Sequence, residues 1–368
     1  MHPTEFTIGF PKHTSDTPQL CLDLDAFESN LHAMAQIVKN AGKQWRPHSK
    51  CHKSPEVAQL QLNAGAIGVT CAKVSEAEIF AAHGITDILI AHIPVGESRV
   101  TRIVTLRESC DVLLTCDHYI QAEKLSQACA KRGVVCRILV DINIGLNRTG
   151  VCPGRDAVTL AQGICKLPGL QLVGIMGYEG HVMPMTDPDD KRRAVLESLG
   201  ILKECRYSFE KQGLKCDIVS AGGTGSLSTA VECDWVTEFQ AGGGIFGDPF
   251  YTKMPGVTGY RSALTVLSTV VSRPTFNRAV VDAGRKAITA EIHPPLVKDY
   301  PDAKVVMHSA EHITLELGPK SRELQIGDRV ELIVGYADFT TLLHDEFLCF
   351  REDKLEAIWP ITARGKLQ

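Results

Sequence analysis

From Gln44 to about residue 243 the chain alternates between short apolar runs and longer stretches with apolar residues every three or four positions. The short runs lie at 44–50, 68–73, 87–92, 112–116, 136–143, 172–178, 216–221 and 238–243. They are mostly continuous rather than alternating, as expected for strands buried on both faces of a parallel sheet. Stretches between them, such as Ser75–His83 and Gln121–Arg132, carry the helical period. Eight such repeats in about two hundred residues predict an α/β fold of the (β/α)8 TIM-type barrel kind, with a doubly wound sheet as the rival. Ahead of the barrel, residues 1–16 read as a loosely held arm and 19–24 as a short strand. Asp25 has N-cap chemistry for a helix that places Phe27, Leu31, Met34 and Ile37 on one face.

After Tyr251 the period changes. Strands are predicted at 261–272, 278–283, 305–309, 313–317, 328–336 and 346–359, with turns at Gly318-Pro319 and Gly327-Asp328 and no helix between them. This is the pattern of a C-terminal antiparallel β domain. The expected organisation is an arm and strand over 1–30 joining that domain, a barrel over 31–255, and the β domain over 256–368.

Composition narrows the partners. A formal net charge of −4 disfavours nucleic acid and anionic membrane surfaces and favours a small-molecule substrate. No apolar run reaches the length of about eighteen residues that a membrane span needs. Met1–Phe6 has neither the basic nor the apolar part of a secretory leader. The 13 cysteines include no C-x-x-C pair, which fits reduced thiols in a cytoplasmic protein.

Chemistry concentrates in Trp45-Arg46-Pro47-His48-Ser49-Lys50-Cys51-His52-Lys53, where the first barrel strand should end. Neighbouring cations are expected to lower the proton affinity of Lys50, which prepares a lysine for Schiff-base chemistry; a solvated basic loop is the alternative. Ser220-Ala221-Gly222-Gly223-Thr224-Gly225-Ser226 follows the seventh strand and Ala241-Gly242-Gly243-Gly244 the eighth. Glycine runs let successive backbone N–H groups converge on an anion, and the ends of strands 7 and 8 are where barrels often hold phosphate. A lysine across the mouth from such a cradle suits pyridoxal 5′-phosphate. Arg148 follows strand 5, and Tyr178, Glu179 and His181 follow strand 6. Arg148 would favour the cofactor's phenolate unless Asp141 claims it.

Arg46–Lys53, Asp141–Gly150, Gly177–His181, Gly222–Ser226 and Val281–Gly284, in this order, resemble the D-threonine aldolase / D-serine dehydratase family. These are fold-type III pyridoxal phosphate enzymes related to alanine racemase. The resemblance runs from about Thr17 to Gly365. It implies Lys50 as the Schiff-base lysine, with His48 beside it among the catalytic candidates. It implies Arg148, Tyr178, Gly223, Thr224, Gly225, Gly243 and Gly244 as cofactor contacts. It also implies a homodimer whose β domain reaches the partner's barrel mouth.

Many members hold a divalent cation with a His and, two residues on, an Asp or Cys. Here Tyr336 stands in the His position and Asp338 is retained, with His344 a possible stand-in, so the metal is uncertain. The expected activity is lyase chemistry on a D-3-hydroxy amino acid, either retro-aldol cleavage to glycine and an aldehyde or elimination of the hydroxyl. The alternative is a metal-independent racemase or epimerase with Lys50 and Tyr336 as its two bases. A non-catalytic cofactor-binding protein is a third possibility, which the β domain argues against.

Overall fold

The protein was examined as a computed structural model, which describes residues 7–368. Strand β1 (Gln19–Asp23) leads into helix α1 (Leu24–Asn40). Eight parallel strands follow: β2 (Gln44–Trp45), β3 (Val69–Cys71), β4 (Asp87–Ile90), β5 (Asp111–Cys116), β6 (Cys136–Asp141), β7 (Leu170–Met176), β8 (Ile218–Ala221) and β9 (Glu238–Phe239). They pair in the order β2-β9-β8-β7-β6-β5-β4-β3. Between β2 and β3 the curl is closed by one parallel bridge, His48 to Thr70. Beside it the Ile67 N–H donates to Trp45 O at 2.8 Å and the Thr70 N–H to Pro47 O at 2.8 Å. Helices separate the strands for most of the circuit, so the predicted barrel is present.

Alternate residues of each strand divide between two apolar regions. Leu89, Leu113, Leu139 and Val173 meet one another, whereas Ile88, Ile90, Val112, Leu114, Ile138 and Val140 join the main core with the helices. This period of two explains why the strands read as unbroken apolar runs. Arg46 is 2% exposed. Its Nη1 lies 2.6 Å from Asp87 Oδ1 and its Nε 3.3 Å from Glu238 Oε1, which ties β2 to β4 and β9.

The C-terminal unit is a nine-stranded, largely antiparallel sheet. Strand β1 lies between Leu264–Thr275, to which it is antiparallel, and Glu346–Arg351, to which it is parallel. The early strand thus joins the β domain, as expected, and α1 crosses to the barrel. The boundary expected between residues 30 and 31 falls within this helix.

Several local expectations are corrected. Asp23, not Asp25, caps α1, accepting the Ala26 N–H at 2.9 Å, because the strand stops one residue sooner. The strand expected over 44–50 ends at Trp45, and Ser49–Cys51 forms a 3-10 turn capped by the His48 ring. The stretch 346–359 is a hairpin that turns at Glu352, where φ is 53°. The strand expected over 328–336 ends at Ile333, and Ala337–Thr340 is a helical turn. Residues 7–16 of the expected arm are held: the Gly9 N–H donates to Leu355 O and the Lys12 N–H to Asp353 O, both at 2.8 Å. Residues 1–6 of that arm lie outside the described residues. All of the cysteines are free thiols, buried except Cys152 and Cys165. No helix among the described residues is long and apolar enough to cross a membrane.

Candidate active site

The C-terminal ends of the barrel strands enclose a cavity of about 390 Å³. Lys50, His48, Arg148, Tyr178, Gly223, Thr224, Gly243 and Asp338 all line it. Elements far apart in sequence converge here: the turn after β2, the loops after β6 and β7, and both glycine loops. The β domain contributes Asp338.

Lys50 sits in the 3-10 turn, where the His48 Nδ1 accepts its backbone N–H at 3.3 Å. Burial first, then the cations Lys50 and Lys53, hold the His48 ring well below its usual pKa, so it is neutral near pH 7. With Nδ1 accepting, the neutral ring carries its hydrogen on Nε2.

The electrostatics of Lys50 differ from expectation. Its Nζ lies 3.4 Å from Asp338 Oδ2. Burial pulls its pKa down, but Asp338, Tyr178 and Cys51 together outweigh that and raise it. The cation cluster read from the sequence is dispersed in space. Arg46 points into its buried carboxylates, Lys53 pairs with buried Glu76 at 3.1 Å, and burial first of all holds His52 down to about 3. Sequence crowding does not survive when each cation finds its own partner.

The two glycine loops meet at the far wall. A Cβ on Gly242 would lie 2.4 Å from His48 O, one on Gly243 2.7 Å from the Tyr251 ring, and one on Gly223 3.1 Å from the Tyr178 ring. These positions admit only backbone, and they bring the chain close around a space suited to a phosphate, although the Gly223 N–H itself is taken up by Ser226 Oγ at 3.1 Å. Thr224 lines the space, and its Oγ1 accepts the Gly244 N–H at 3.2 Å. Gly244 and Gly225 do not line the cavity. The Gly244 amide is committed to Thr224, and Gly225 packs against Met183 and Met254. The site fits pyridoxal phosphate, with Lys50 for its aldehyde and the loop amides for its phosphate.

Arg148 lies over the Tyr178 ring, 5.7 Å from its centroid, and forms no ion pair among the described residues. Its alternative partner Asp141 instead accepts from Thr149 Oγ1 at 2.9 Å. Glu179 is buried beneath the cradle, accepting from Ser226 Oγ and the Gly223 N–H. His181 packs under Gly145, outside the cavity.

Tyr336 does not line the cavity either. It is buried among Phe250, Tyr251 and Phe339. Burial, reinforced by the Asp338 carboxylate, pushes its phenol far above its ordinary pKa. Such a phenol is neither a ready base nor a metal ligand. His344 is turned away, its Nε2 2.7 Å from Ala287 O. No cluster of three or more His, Cys, Asp or Glu that would hold a metal occurs among the described residues. The side chains near Asp338 therefore do not fit the divalent cation considered for this position. Asp338 and the helical turn that carries it come from the same chain as Lys50.

Reading the residues had not singled out Lys73, His92, Gln240 or Tyr251 as a group, yet all four line the cavity. Lys73 Nζ lies 3.5 Å from His92 Nε2. Their positions at the ends of β3 and β4 are the signal that would have found them.

A barrel with one lysine beyond its first strand, backbone loops after its last two, and a β domain sharing strand β1 defines the alanine-racemase-like class of pyridoxal phosphate enzymes. The comparisons agree: residues 22–249 match the family model for the alanine racemase N-terminal domain, and 263–350 match a putative serine dehydratase domain. The chain is 33% identical to a D-threonine aldolase of Arthrobacter sp., over 97% of this chain and 95% of that one. It is 34% identical to a 3-hydroxy-D-aspartate aldolase of Paracoccus denitrificans, over 97% and 94%. The crystal structure of D-threonine aldolase from Filomicrobium marinum superimposes with a TM-score of 0.96 at 33% identity, over 99% and 100%. A mutant D-threo-3-hydroxyaspartate dehydratase in the metal-free form gives a TM-score of 0.86 at 26% identity, over 95% and 98%. The chain belongs to the D-threonine aldolase / D-serine dehydratase family, a family of lyases.

Proposed function

We propose that this lyase holds pyridoxal 5′-phosphate on Lys50 and cleaves a D-3-hydroxy amino acid between its α and β carbons, releasing glycine and an aldehyde. The observation that carries the reading is the convergence of Lys50 and both glycine loops on one cavity. When bound, the cofactor supplies a ring that accepts the electron pair released at the substrate's α-carbon. The amides of Thr224, Gly242 and Gly243 hold the phosphate. Tyr178 walls the ring, and Arg148 over its face supplies positive charge to the cofactor's phenolic oxygen or to the substrate carboxylate. His48 fixes the backbone of Lys50 through Nδ1 and offers its Nε2–H to the site.

Elimination of the 3-hydroxyl is the second reading, favoured by the dehydratase domain matched over 263–350. Racemisation has less support, because Tyr336, its expected second base, is packed away from the cavity. A cytoplasmic setting agrees with the free thiols, and the homodimer follows from the resemblance alone.

The test is to supply the cofactor-loaded protein with the D- and L-isomers of threonine and of 3-hydroxyaspartate and to identify the products. Glycine plus aldehyde from the D-isomers alone is the expected result, and a keto acid plus ammonia would select elimination. Interconversion of D- and L-isomers without cleavage would overturn the lyase reading.

A further inference from the structure

Asp338 reaches the cavity on the helical turn Ala337–Thr340. The residue is 7% exposed, and its Oδ1 is buried with no hydrogen-bond partner. A buried carboxylate oxygen lacking a donor is costly, and a ligand hydroxyl would satisfy it. The turn is tied down on both sides. The Ala337 N–H donates to Asp248 Oδ2 at 3.0 Å, beyond the second glycine loop, and Thr341 Oγ1 donates to Cys51 O at 3.1 Å, next to Lys50. Asp338 is thus held in place by the same elements that position Lys50 and the cradle. A divalent cation here would have one carboxylate and, nearby, only a phenol that burial keeps protonated, too few donors to hold it.

We propose that Asp338 is the general base of the cleavage, taking the proton of the substrate's 3-hydroxyl directly, with no divalent cation at this position. The proposal rests on the lyase reading above. In the step, the Asp338 carboxylate takes the hydroxyl proton, and the O–H electron pair becomes the second bond of the aldehyde carbonyl. The Cα–Cβ bond breaks and its electron pair stays with Cα. The Lys50 ammonium protonates Cα, and Asp338 returns its proton to Lys50 across their 3.4 Å contact. Both side chains regain their starting charges, and the substrate has become glycine and an aldehyde.

The experiment combines metal analysis of the purified, cofactor-loaded enzyme, turnover before and after EDTA dialysis, and the variants Asp338→Asn and Asp338→Glu. The wild type is expected to hold far less than one equivalent of metal and to keep its turnover in EDTA. Asp338→Asn should lower kcat by about 10²–10⁴-fold, the usual worth of a general base, with KM changed little. Cofactor content and visible absorption should match the wild type, which separates lost chemistry from lost folding. Asp338→Glu, which keeps the carboxylate, should recover part of the rate. About one equivalent of Mn²⁺ or Zn²⁺ in the wild type, with turnover lost in EDTA and restored by the ion, would overturn the proposal. So would an Asp338→Asn enzyme with near-wild-type kcat. A metal-poor wild type that cleaves no D-3-hydroxy amino acid would instead bring down the lyase reading, and the base assignment with it.

Discussion

Gly242 and His48 are in backbone contact: a Cβ at residue 242 would lie 2.4 Å from the His48 carbonyl oxygen and 2.9 Å from its nitrogen. The contact joins the loop after β9 to the residue that caps the Lys50 turn. Gly242→Ala must push the two apart, at a cost of about 1–3 kcal/mol. Since the loop is the proposed phosphate cradle, affinity for pyridoxal phosphate should fall roughly 10- to 100-fold. Equilibrium dialysis of the variant measures this, and an unchanged affinity would place the phosphate elsewhere.

Borohydride treatment of the cofactor-loaded protein should fix the label on the peptide that contains Lys50. Lys53 is buried against Glu76, and Lys73 lies beside His92 at the opposite rim. Peptide mapping distinguishes the three, and a label on Lys53 or Lys73 would mean that the reactive lysine has been misassigned.

Arg46 is enclosed with Glu238 and Asp87 at the base of the site. Removing Glu238 leaves the Arg46 Nε side without its carboxylate and Asp87 as its remaining anionic partner, so Glu238→Gln should destabilise the fold by about 1–3 kcal/mol. Urea unfolding of Glu238→Gln against the double variant Arg46→Met/Glu238→Leu checks the cause. The double variant should recover much of the loss.

His52 is fully buried, and burial holds its pKa at about 3, against 6.5 as its ordinary value. Its folded pKa lies below its unfolded one, so its contribution to stability is complete above about pH 6.5 and is lost as pH falls towards 3. Between pH 6.5 and 5 this amounts to about 2 kcal/mol. Relative to His52→Gln, the wild type should lose that much over this window in paired denaturation curves. Parallel curves would show that His52 does not titrate as its burial requires.

Tyr336→Phe should leave cofactor absorption unchanged and keep α-hydrogen exchange in both stereochemical directions, because the ring packs on Phe250 and Phe339 outside the cavity. Loss of exchange in one stereochemical direction, measured in deuterated water, would restore Tyr336 as a second base.

Local pattern carried a good deal of this protein. Eight apolar runs separated by helical stretches are sufficient to specify the barrel, because a parallel sheet covered on both faces requires them. The glycine loops after β8 and β9 were legible for a similar reason: backbone approach to an anion needs residues without Cβ, and few other requirements place glycines in series. Lys50, Arg148 and Tyr178 meet at one cavity because they follow the C-terminal ends of barrel strands, a placement the apolar pattern already implied. Boundaries were less legible. The ends of β1 and β2 and the turn at Glu352 depend on single hydrogen bonds and one positive φ that apolar pattern does not record.

What only the tertiary structure decided was charge and facing. The sequence placed Arg46, His48, Lys50, His52 and Lys53 within eight residues and so implied mutual repulsion. Folding gave Arg46 to Asp87 and Glu238, Lys53 to Glu76 and Lys50 to Asp338, carboxylates between 23 and 288 positions away. Electrostatic energy depends on distance through space and on burial, neither of which is written in local order. The same holds for Tyr336 and Asp338, two residues apart. The backbone turns helical between them, so Tyr336 is sealed among aromatic rings while Asp338 faces the cavity. A strand would have put both on one face; the helical turn separates them, and the packing of Phe250 and Phe339 against Tyr336 leaves Asp338 to meet Lys50.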